Sequence, residues 1–325
     1  MVQGNDRGLD APRFDWWTAL ARVISSLEAL RDGRAMYVLL AAFSGAGLAV
    51  AMARTSLGRG DLAWAVGQGA AALFIAFYGS NAAGLMLMDR ARGVRPRQVA
   101  DAVEDALGVG HRVFVALAGA LTGFAAVLAV LLGLFWLSDL PVIGPWLYGV
   151  VVPLTVIVLG VLFLLGGAVV GPLTGPTVWS GASSWEAIRL LWWCARTRPL
   201  QAAVLTAFLS LLTALVGAAV TGVVFTGGRM MAEVSIWLLN LELPPEVLMA
   251  GLFGHGLHSI NADVVPKSAV PYTVAALVGG GVVFAIALVL PTLVYLRGVC
   301  EIYLALLEHP LQPRAVEAPE TTADA

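Results

Sequence analysis

Six stretches of the chain contain no Asp, Glu, Lys, Arg or His, and each is long enough to cross a membrane. They are residues 35–53, 62–88, 113–138, 140–185, 199–228 and 268–296. A bilayer core of about 30 Å requires about 20 apolar residues in a helix. We therefore predict an all-α integral membrane protein with six transmembrane helices. Within the stretches, they fall near residues 35–53, 62–88, 113–137, 146–170, 200–226 and 270–296.

The composition agrees with this pattern. Hydrophobic residues make up 59% of the chain and charged residues 12%, whereas soluble domains carry about 25% charged residues. A β-barrel is excluded because its strands would alternate apolar with polar residues, and these stretches are apolar on every face. The chain has the composition of a polytopic membrane protein.

Lysine and arginine are distributed unevenly across the predicted membrane. With both termini inside, 15 of the 19 basic residues fall on the cytoplasmic side and 4 on the outside. Cytoplasmic loops of membrane proteins carry such an excess. We expect both termini to be cytoplasmic, and we expect the basic inner face to bind anionic lipid headgroups. No nucleic-acid partner is expected.

Tryptophan residues fall at both predicted membrane boundaries, as aromatic belts do. The outer set is Trp64, Trp136, Trp146 and Trp237, and the inner set is Trp16, Trp17, Trp179, Trp185, Trp192 and Trp193. Cys194 and Cys300 are both predicted on the cytoplasmic side, where thiols stay reduced. We expect Cys194 to react with thiol reagents only from the cytoplasm.

A short amphipathic segment precedes the first, third and fifth predicted spans. The three segments are residues 14–32, 96–107 and 184–196. Aligning Ala19, Ala102 and Ala187 gives spacings of 83 and 85 residues. This period predicts three tandem copies of one unit, an interfacial helix followed by a transmembrane hairpin. In the third copy, Ser183 and Glu186 form a candidate capping box.

The domain boundaries follow from these elements. Residues 1–13 are predicted to be a flexible N-terminus without the apolar run of a signal peptide, so the first span is expected to remain as an uncleaved anchor. Residues 14–309 form one transmembrane domain, and 310–325 a disordered tail. The repeats cover about 14–88, 96–170 and 184–296, with an external lid at 227–267 built from short helices at 229–241 and 246–259.

Two Gly-Pro dipeptides follow the fourth predicted span, at residues 171–172 and 175–176. Proline lacks the N–H group that a helix interior requires, so we predict irregular backbone over residues 171–181. Because the segment carries no charge, it is either a tight interfacial connector or a re-entrant element.

No ionisable residue lies within the predicted spans, which disfavours proton-coupled transport. The amides of Gln68 and Asn81 are the most costly polar groups to leave unpaired at that depth. They serve either in interhelical hydrogen bonds or as contacts to a substrate in a central cavity.

One cluster resembles a set of metal ligands. His255 and His258 are three residues apart, with Asp263 nearby, and two histidines with a carboxylate can bind zinc or iron. The spacing matches no established metalloenzyme motif. There is also no phosphate-binding loop and no nucleophile elbow, so we expect no cofactor.

Residues 175–189, Gly-Pro-Thr-Val-Trp-Ser-Gly-Ala-Ser-Ser-Trp-Glu-Ala-Ile-Arg, precede Arg198-Pro199 at the start of the fifth span. This run resembles a group of bacterial six-span membrane proteins related to the membrane domain of some glycerophosphodiester phosphodiesterases. The resemblance covers about 30 residues. It implies the fold and a bacterial inner-membrane location, but no activity, because the phosphodiesterase domain itself has no counterpart here.

Three functions remain open. The first is a non-catalytic accessory, assembly or lipid-binding subunit, whose candidate contacts to lipid or a partner are Arg22, Arg97, Arg189 and Arg196. Small residues four apart, such as Gly119 and Gly123, would also allow a membrane partner or a homo-oligomer. The second is a permease for a neutral or lipidic substrate, and the third is an interfacial enzyme that uses the His255 cluster.

Overall fold

The computed structural model describes residues 14–141, 143–239 and 270–308, and no strand occurs in these ranges. The α-helices are α1 (Trp16–Ser25), α2 (Gly33–Gly58), α3 (Leu62–Ala91), α4 (Val99–Leu137), α5 (Gly144–Leu165), α6 (Gly171–Trp179), α7 (Ser184–Thr197), α8 (Pro199–Leu239) and α9 (Val270–Tyr303). A 3₁₀ helix, Ser26–Arg31, joins α1 to α2. Two π-helical turns occupy Gly166–Val170 and Leu304–Glu308.

Six segments are long and apolar enough to cross a membrane, which confirms the predicted all-α six-span architecture. They are Gly33–Gly58, Leu62–Ala91, Val99–Leu137, Gly144–Trp179, Pro199–Leu238 and Ala285–Leu307. The chain is a multi-pass membrane protein by length and composition of its helices. Successive spans run in opposite directions.

The helices pack most closely at one end, which we call the core end. It contains the start of α2, the end of α3, the start of α4, all of α6 and α7, the start of α8 and the second half of α9. The opposite, far end contains the turns at residues 59–61 and 138–143. Contacts across the core end join residues far apart in sequence, including Asn81 to Trp179 and Leu87 to Arg297.

The second half of α9 is the centre of the core. Its side chains at Leu293, Val299 and Ile302 are at most 1% exposed, and so is Leu306 in the π-helical turn that follows α9. They belong to one apolar cluster with side chains from the surrounding helices, among them Val23, Leu39, Met86, Leu173 and Leu205. In the most apolar part of Ala285–Leu307, 61% of the residues are buried, whereas in the most apolar part of Gly144–Trp179 only 6% are buried. Most of α5 therefore presents its side chains to the surroundings.

Local sequence explains where several helices begin and end. Asp15 and Asp32 accept backbone hydrogen bonds at the starts of α1 and α2. The predicted capping box is present at α7, where Ser183 and Glu186 satisfy each other's backbone N–H groups. Gly93 and Gly181 follow α3 and α6 with φ of 72° and 103°, a conformation that other residues adopt only with strain.

The second amphipathic segment is not a separate helix, contrary to the prediction. Residues 99–107 are the first turns of α4, which runs unbroken to Leu137. Gln98 takes an extended conformation and begins the helix. The helix continues through Gly108 and Gly110, and no Pro interrupts it before the apolar stretch. The segment still shows the predicted amphipathic pattern, with Ala102 and Ala106 buried.

The prediction of irregular backbone at residues 171–181 was wrong. The π-helical turn Gly166–Val170 leads directly into α6, so the fourth span continues to Trp179. Pro172 has no N–H to donate to the Ala168 carbonyl four residues earlier. That carbonyl instead accepts a hydrogen bond from Thr206 Oγ1 of α8 at 3.1 Å. Pro172 also directly follows the π-helical turn, where the regular pattern of α-helical hydrogen bonds is already interrupted.

Two further boundaries differ from the prediction. The fifth span does not end at residue 226, because α8 continues to Leu239 through the first predicted lid helix. The sixth candidate span, Ala285–Leu307, extends past the predicted end at residue 296. The rest of the predicted lid, residues 240–267, lies outside the described residues.

The predicted repeat stays a prediction. Ala19, Ala102 and Ala187 are all buried, at 3%, 0% and 0% exposure. The segments that hold them differ, since the first is α1 with a 3₁₀ helix, the second is part of α4, and the third is the separate helix α7.

Candidate functional site

Asn81 and Trp179 form a buried polar contact at the core end. The Trp179 Nε1–H donates to Asn81 Oδ1 at 2.9 Å, and Asn81 Nδ2 donates to the Phe77 carbonyl at 2.8 Å. Asn81 is 4% exposed and Trp179 8%. The sequence predicted that Trp179 belongs to the inner aromatic belt, and this prediction was wrong. Trp179 is a core residue whose indole joins α6 to α3.

The indole ring fits against two glycines. A Cβ atom at Gly84 would overlap the ring, and a Cβ at Gly175 would lie 2.8 Å from it. Both positions therefore require glycine for the ring to occupy this place. Both the oxygen and the nitrogen of the Asn81 amide are thus paired within the protein.

Gln68 also makes an interhelical hydrogen bond. Its Oε1 accepts from the Ser56 hydroxyl of α2 at 2.9 Å. The structure thus does not bring Gln68 and Asn81 together. They lie more than three helical turns apart on α3, and each binds a different partner within the protein.

A buried ion pair lies in the sixth candidate span, contrary to the prediction that the spans carry no charge. Arg297 Nη2 is 2.7 Å from Glu301 Oε1, one helical turn later, and Arg297 Nη1 donates to the Leu87 carbonyl at 3.0 Å. The two residues are 8% and 5% exposed. The i, i+4 spacing was visible in the sequence, but the prediction ended the span at the first charged residue.

Further polar contacts close the core end around this pair. Asp32 and Arg90 join α2 to α3 through an ion pair of 2.6 Å. Tyr303 and Ser180 share a hydrogen bond between hydroxyls at 2.8 Å. Arg198 Nη1 donates to the Leu306 carbonyl at 3.1 Å, which satisfies a carbonyl near the end of the last π-helical turn. Through these contacts the charged groups bind other groups of the protein and connect its helices.

The four arginines predicted to contact lipid or a partner have different environments. Arg97 is bound to Asp89 and Asp105 at 2.7 Å each, and the hydrogen bond to Asp89 raises the pKa of Arg97 above its usual value. Arg22 is partly buried in the last turn of α1. Arg189 and Arg196 are exposed, and Arg196 lies 5.5 Å from the Trp192 ring. Arg189 and Arg196 alone of these four are both exposed and without an ion-pair partner in the described part of the chain.

Two arginines that the sequence reasoning did not select border a cavity at the core end. Arg34 and Arg95, with residues 96–101, line a volume of about 830 Å³. Arg34 immediately precedes the uncharged stretch of α2, and Arg95 lies between α3 and α4. Their common location depends on the α2–α3 hairpin, so spacing along the sequence could not reveal it.

The remaining candidate residues carry no observed site. His255, His258 and Asp263 lie outside the described residues, and no group of three metal-ligating side chains occurs within the described ranges. Cys194 is fully buried, and burial raises the pKa of its thiol to about 11 despite a smaller opposite effect of Arg198. The predicted reaction of Cys194 with thiol reagents is therefore not expected in the folded protein.

Comparisons with known proteins add no further information. No family model, no curated protein and no solved structure matches the chain. The resemblance at residues 175–189 thus stays a prediction.

Proposed function

We propose that the protein is a non-catalytic membrane subunit that binds membrane lipids at its core end and acts as an accessory or assembly component. One observation carries this proposal. Most exposed arginines without an ion-pair partner among the described residues lie at the core end, and they include Arg34, Arg95, Arg189 and Arg196, whereas Arg54 and Arg59 lie at the far end. Arginine binds phosphate through planar paired hydrogen bonds.

The position of these arginines supports lipid over soluble anions. Arg34 precedes the uncharged stretch 35–53, and Arg189 and Arg196 lie on α7, beside the exposed rings of Trp185 and Trp192. Basic and aromatic side chains in this arrangement are typical of a membrane interface. If the 15 cytoplasmic basic residues predicted from the sequence define the inner side, the core end faces the cytoplasmic leaflet.

The polar groups within the candidate spans support a non-catalytic role. Asn81, Gln68, Arg297 and Glu301 each bind another group of the protein. A permease for a neutral or lipidic substrate would need some of these groups to face a pathway. The two amides that were its candidate contacts are occupied by Trp179 and Ser56, so they do not favour that function.

Substitution of Asn81 by Leu separates the two functions. The change removes the acceptor of the Trp179 Nε1–H and leaves a buried donor unpaired, which costs about 1–3 kcal/mol. We expect a lower unfolding temperature in detergent for this variant and no change in solute flux into proteoliposomes. A fully stable variant that loses a flux present in the wild type would favour the permease.

Native mass spectrometry of gently extracted protein tests the proposal itself. We expect bound phospholipid or a co-purifying membrane subunit, and we expect less bound phospholipid when Arg189 and Arg196 are both replaced by Gln. Replacing Arg54 and Arg59, at the far end of α2, by Gln is the matched control. Protein that carries neither lipid nor partner would contradict the proposal.

A further inference from the structure

The cavity at the core end carries charges of both signs. It is lined by Arg34 from the first turn of α2 and by one continuous segment of chain, Arg95, Pro96, Arg97, Gln98, Val99, Ala100 and Asp101. Its volume is about 830 Å³, within the range of about 300–1,000 Å³ for small-molecule sites. The cavity is large enough for one phospholipid headgroup.

The cationic side of the cavity has unused hydrogen-bond donors. Arg34 and Arg95 are exposed and make no hydrogen bond or ion pair with another residue that the structure describes. Arg97 differs, because both ends of its guanidinium are bound to Asp89 and Asp105. Arg97 therefore fixes the wall of the cavity, and Arg34 and Arg95 remain available for a phosphate.

The start of α4 adds backbone donors to the same wall. The first helical hydrogen bond of α4 is from the Ala102 N–H to the Gln98 carbonyl, and Gln98 makes no side-chain cap. The N–H groups of Val99, Ala100 and Asp101 thus have no partner within the helix. Such groups at a helix start favour an anion, in addition to the two arginines.

The cavity also contains an unpaired carboxylate. Asp101 is exposed in the first turn of α4 and forms no ion pair within the part of the chain that the structure describes. With Arg97 neutralised by Asp89 and Asp105, the cavity presents two cationic side chains and one anionic side chain. A ligand with only negative charge would leave Asp101 unpaired, whereas a ligand with a phosphate and an ammonium group would pair both signs.

The surroundings of the cavity fit a lipid better than a free solute. Arg34 and Asp89 flank the uncharged stretches of α2 and α3, so the cavity lies where the apolar surface ends. Below it, Val103, Leu107 and Phe114 share a face of α4 and are 43%, 49% and 68% exposed. This apolar strip extends from the cavity toward the far end, along the direction that an acyl chain would take.

We propose that this cavity binds the headgroup of one zwitterionic phospholipid that carries a primary amine, as in phosphatidylethanolamine. The phosphate binds Arg34, Arg95 and the first amides of α4, and the ammonium donates to Asp101. A quaternary ammonium has no N–H to donate, so phosphatidylcholine binds less well. The assignment rests on the proposed lipid-binding function and names the lipid class for one site of it.

Native mass spectrometry of the full chain, equilibrated with equal amounts of phosphatidylethanolamine, phosphatidylglycerol and phosphatidylcholine, tests the assignment. We expect one tightly retained phosphatidylethanolamine for each chain. Asp101→Asn removes the partner of the ammonium and is expected to shift the ratio of bound phosphatidylethanolamine to phosphatidylglycerol by about twofold to fivefold toward the latter, because Asp101 is exposed. The double variant R34Q/R95Q is expected to lose retention of both lipids.

Matched controls lie outside the cavity. Arg59→Gln removes an exposed charge and Asp139→Asn an exposed carboxylate, both at the far end. Both are expected to keep the wild-type headgroup ratio, and unfolding temperatures check that every variant is folded. Free phosphoethanolamine is expected to compete poorly, because it lacks the acyl chains that would contact the strip on α4.

Three results would overturn the assignment. The first is a wild-type protein that retains phosphatidylglycerol as strongly as phosphatidylethanolamine. The second is a headgroup ratio that Asp101→Asn does not change. The third is displacement of the lipid by an equal concentration of free phosphoethanolamine. In each case lipid binding as such could persist. The proposed function fails separately, when neither lipid nor partner binds.

Discussion

The Trp179 indole is held in place by one hydrogen bond and by two glycines that lack side chains. Asn81 fixes its Nε1–H, while Gly84 of α3 and Gly175 of α6 lie against the ring. An aromatic side chain of this size buries much apolar area, and its N–H normally has a partner when buried. The position of one residue on α6 therefore depends on the exact residue type at three others.

A Gly84→Ala substitution tests this arrangement. Replacing Gly by Ala inside a helix normally stabilises it, by up to about 1 kcal/mol. At Gly84 the added Cβ would overlap the Trp179 ring, so we expect the opposite sign and a clearly lower unfolding temperature in detergent. Gly123→Ala is the control, because no atom lies within 4 Å of its added Cβ, and we expect it to be neutral or stabilising. Equal effects of the two substitutions would contradict the described contact.

At the scale of single elements, the last helix combines the deepest burial with an ion pair. Arg297 and Glu301 are neighbours on one face of α9, and Arg297 also binds the end of α3 through the Leu87 carbonyl. The Arg297 Nε has no hydrogen-bond partner. Taking both charges out of water costs free energy that the pair offsets only in part.

Substitutions of the pair should therefore be non-additive. We expect Glu301→Leu alone to destabilise the protein by about 3–5 kcal/mol, because it leaves the Arg297 charge buried without a partner. Arg297→Met alone should have an effect of similar size. The double variant R297M/E301L should be more stable than either single variant. Thermal unfolding of the three proteins measures the coupling, and simple additivity would show that the two charges do not interact.

The start of α7 gives a prediction about pH. The backbone N–H of Ser183 donates to Glu186, which lowers the pKa of that carboxyl below its usual value, with a further contribution from the Ser183 side chain. A lowered pKa in the folded state means that the contribution of Glu186 is complete above the usual glutamate pKa. It is lost as the pH falls through the lowered value.

Hydrogen exchange at the first turn of α7 should therefore be slow near pH 7 and relatively faster, after correction for intrinsic rates, below about pH 4. We expect Glu186→Gln to remove this pH dependence, because glutamine does not ionise. Ser183→Ala should raise exchange in the same turn at all pH values, by about 1 kcal/mol in opening free energy. An unchanged pH profile in the Glu186→Gln variant would contradict the assignment.

At the scale of the whole molecule, the buried core lies at the same end as most of the basic side chains that the structure describes. The second half of α9 contacts the other helices there, while the far parts of α4, α5 and α8 expose most of their apolar side chains. In a bilayer these exposed faces would contact lipid. The core end thus supports both the packing of the fold and the proposed binding of lipid.

The orientation of the molecule can be tested with introduced cysteines. Cys194 and Cys300 are fully buried, and the pKa of Cys194 is raised to about 11, so the wild-type protein should react little with maleimides until it is denatured. When a cysteine is introduced into the wild-type sequence, we expect Arg189→Cys to be labelled only from the cytoplasmic side and Arg59→Cys only from the outside. Labelling of both from the same side would overturn the alternating topology.

The sequence predicted the spans well because hydropathy is a local property. The uncharged stretches 35–53 and 62–88 lie within α2 and α3, and the capping residues Ser183 and Glu186 act on their own helix. The errors occurred where a distant group changes the local rule. Pro172 is tolerated near the start of α6, where Thr206 binds the Ala168 carbonyl, and the charge of Arg297 is tolerated where it binds the Leu87 carbonyl of α3.

The sequence by itself determined that this chain is helical and has six segments long and apolar enough to cross a membrane. Only the tertiary structure decided that Trp179 is a core residue, that Arg297 and Glu301 are buried, and that Arg34 and Arg95 border one cavity with Asp101. The reason is physical. Hydropathy and capping act over a few neighbouring residues, whereas these three features depend on contacts between helices that the sequence separates by tens to hundreds of positions.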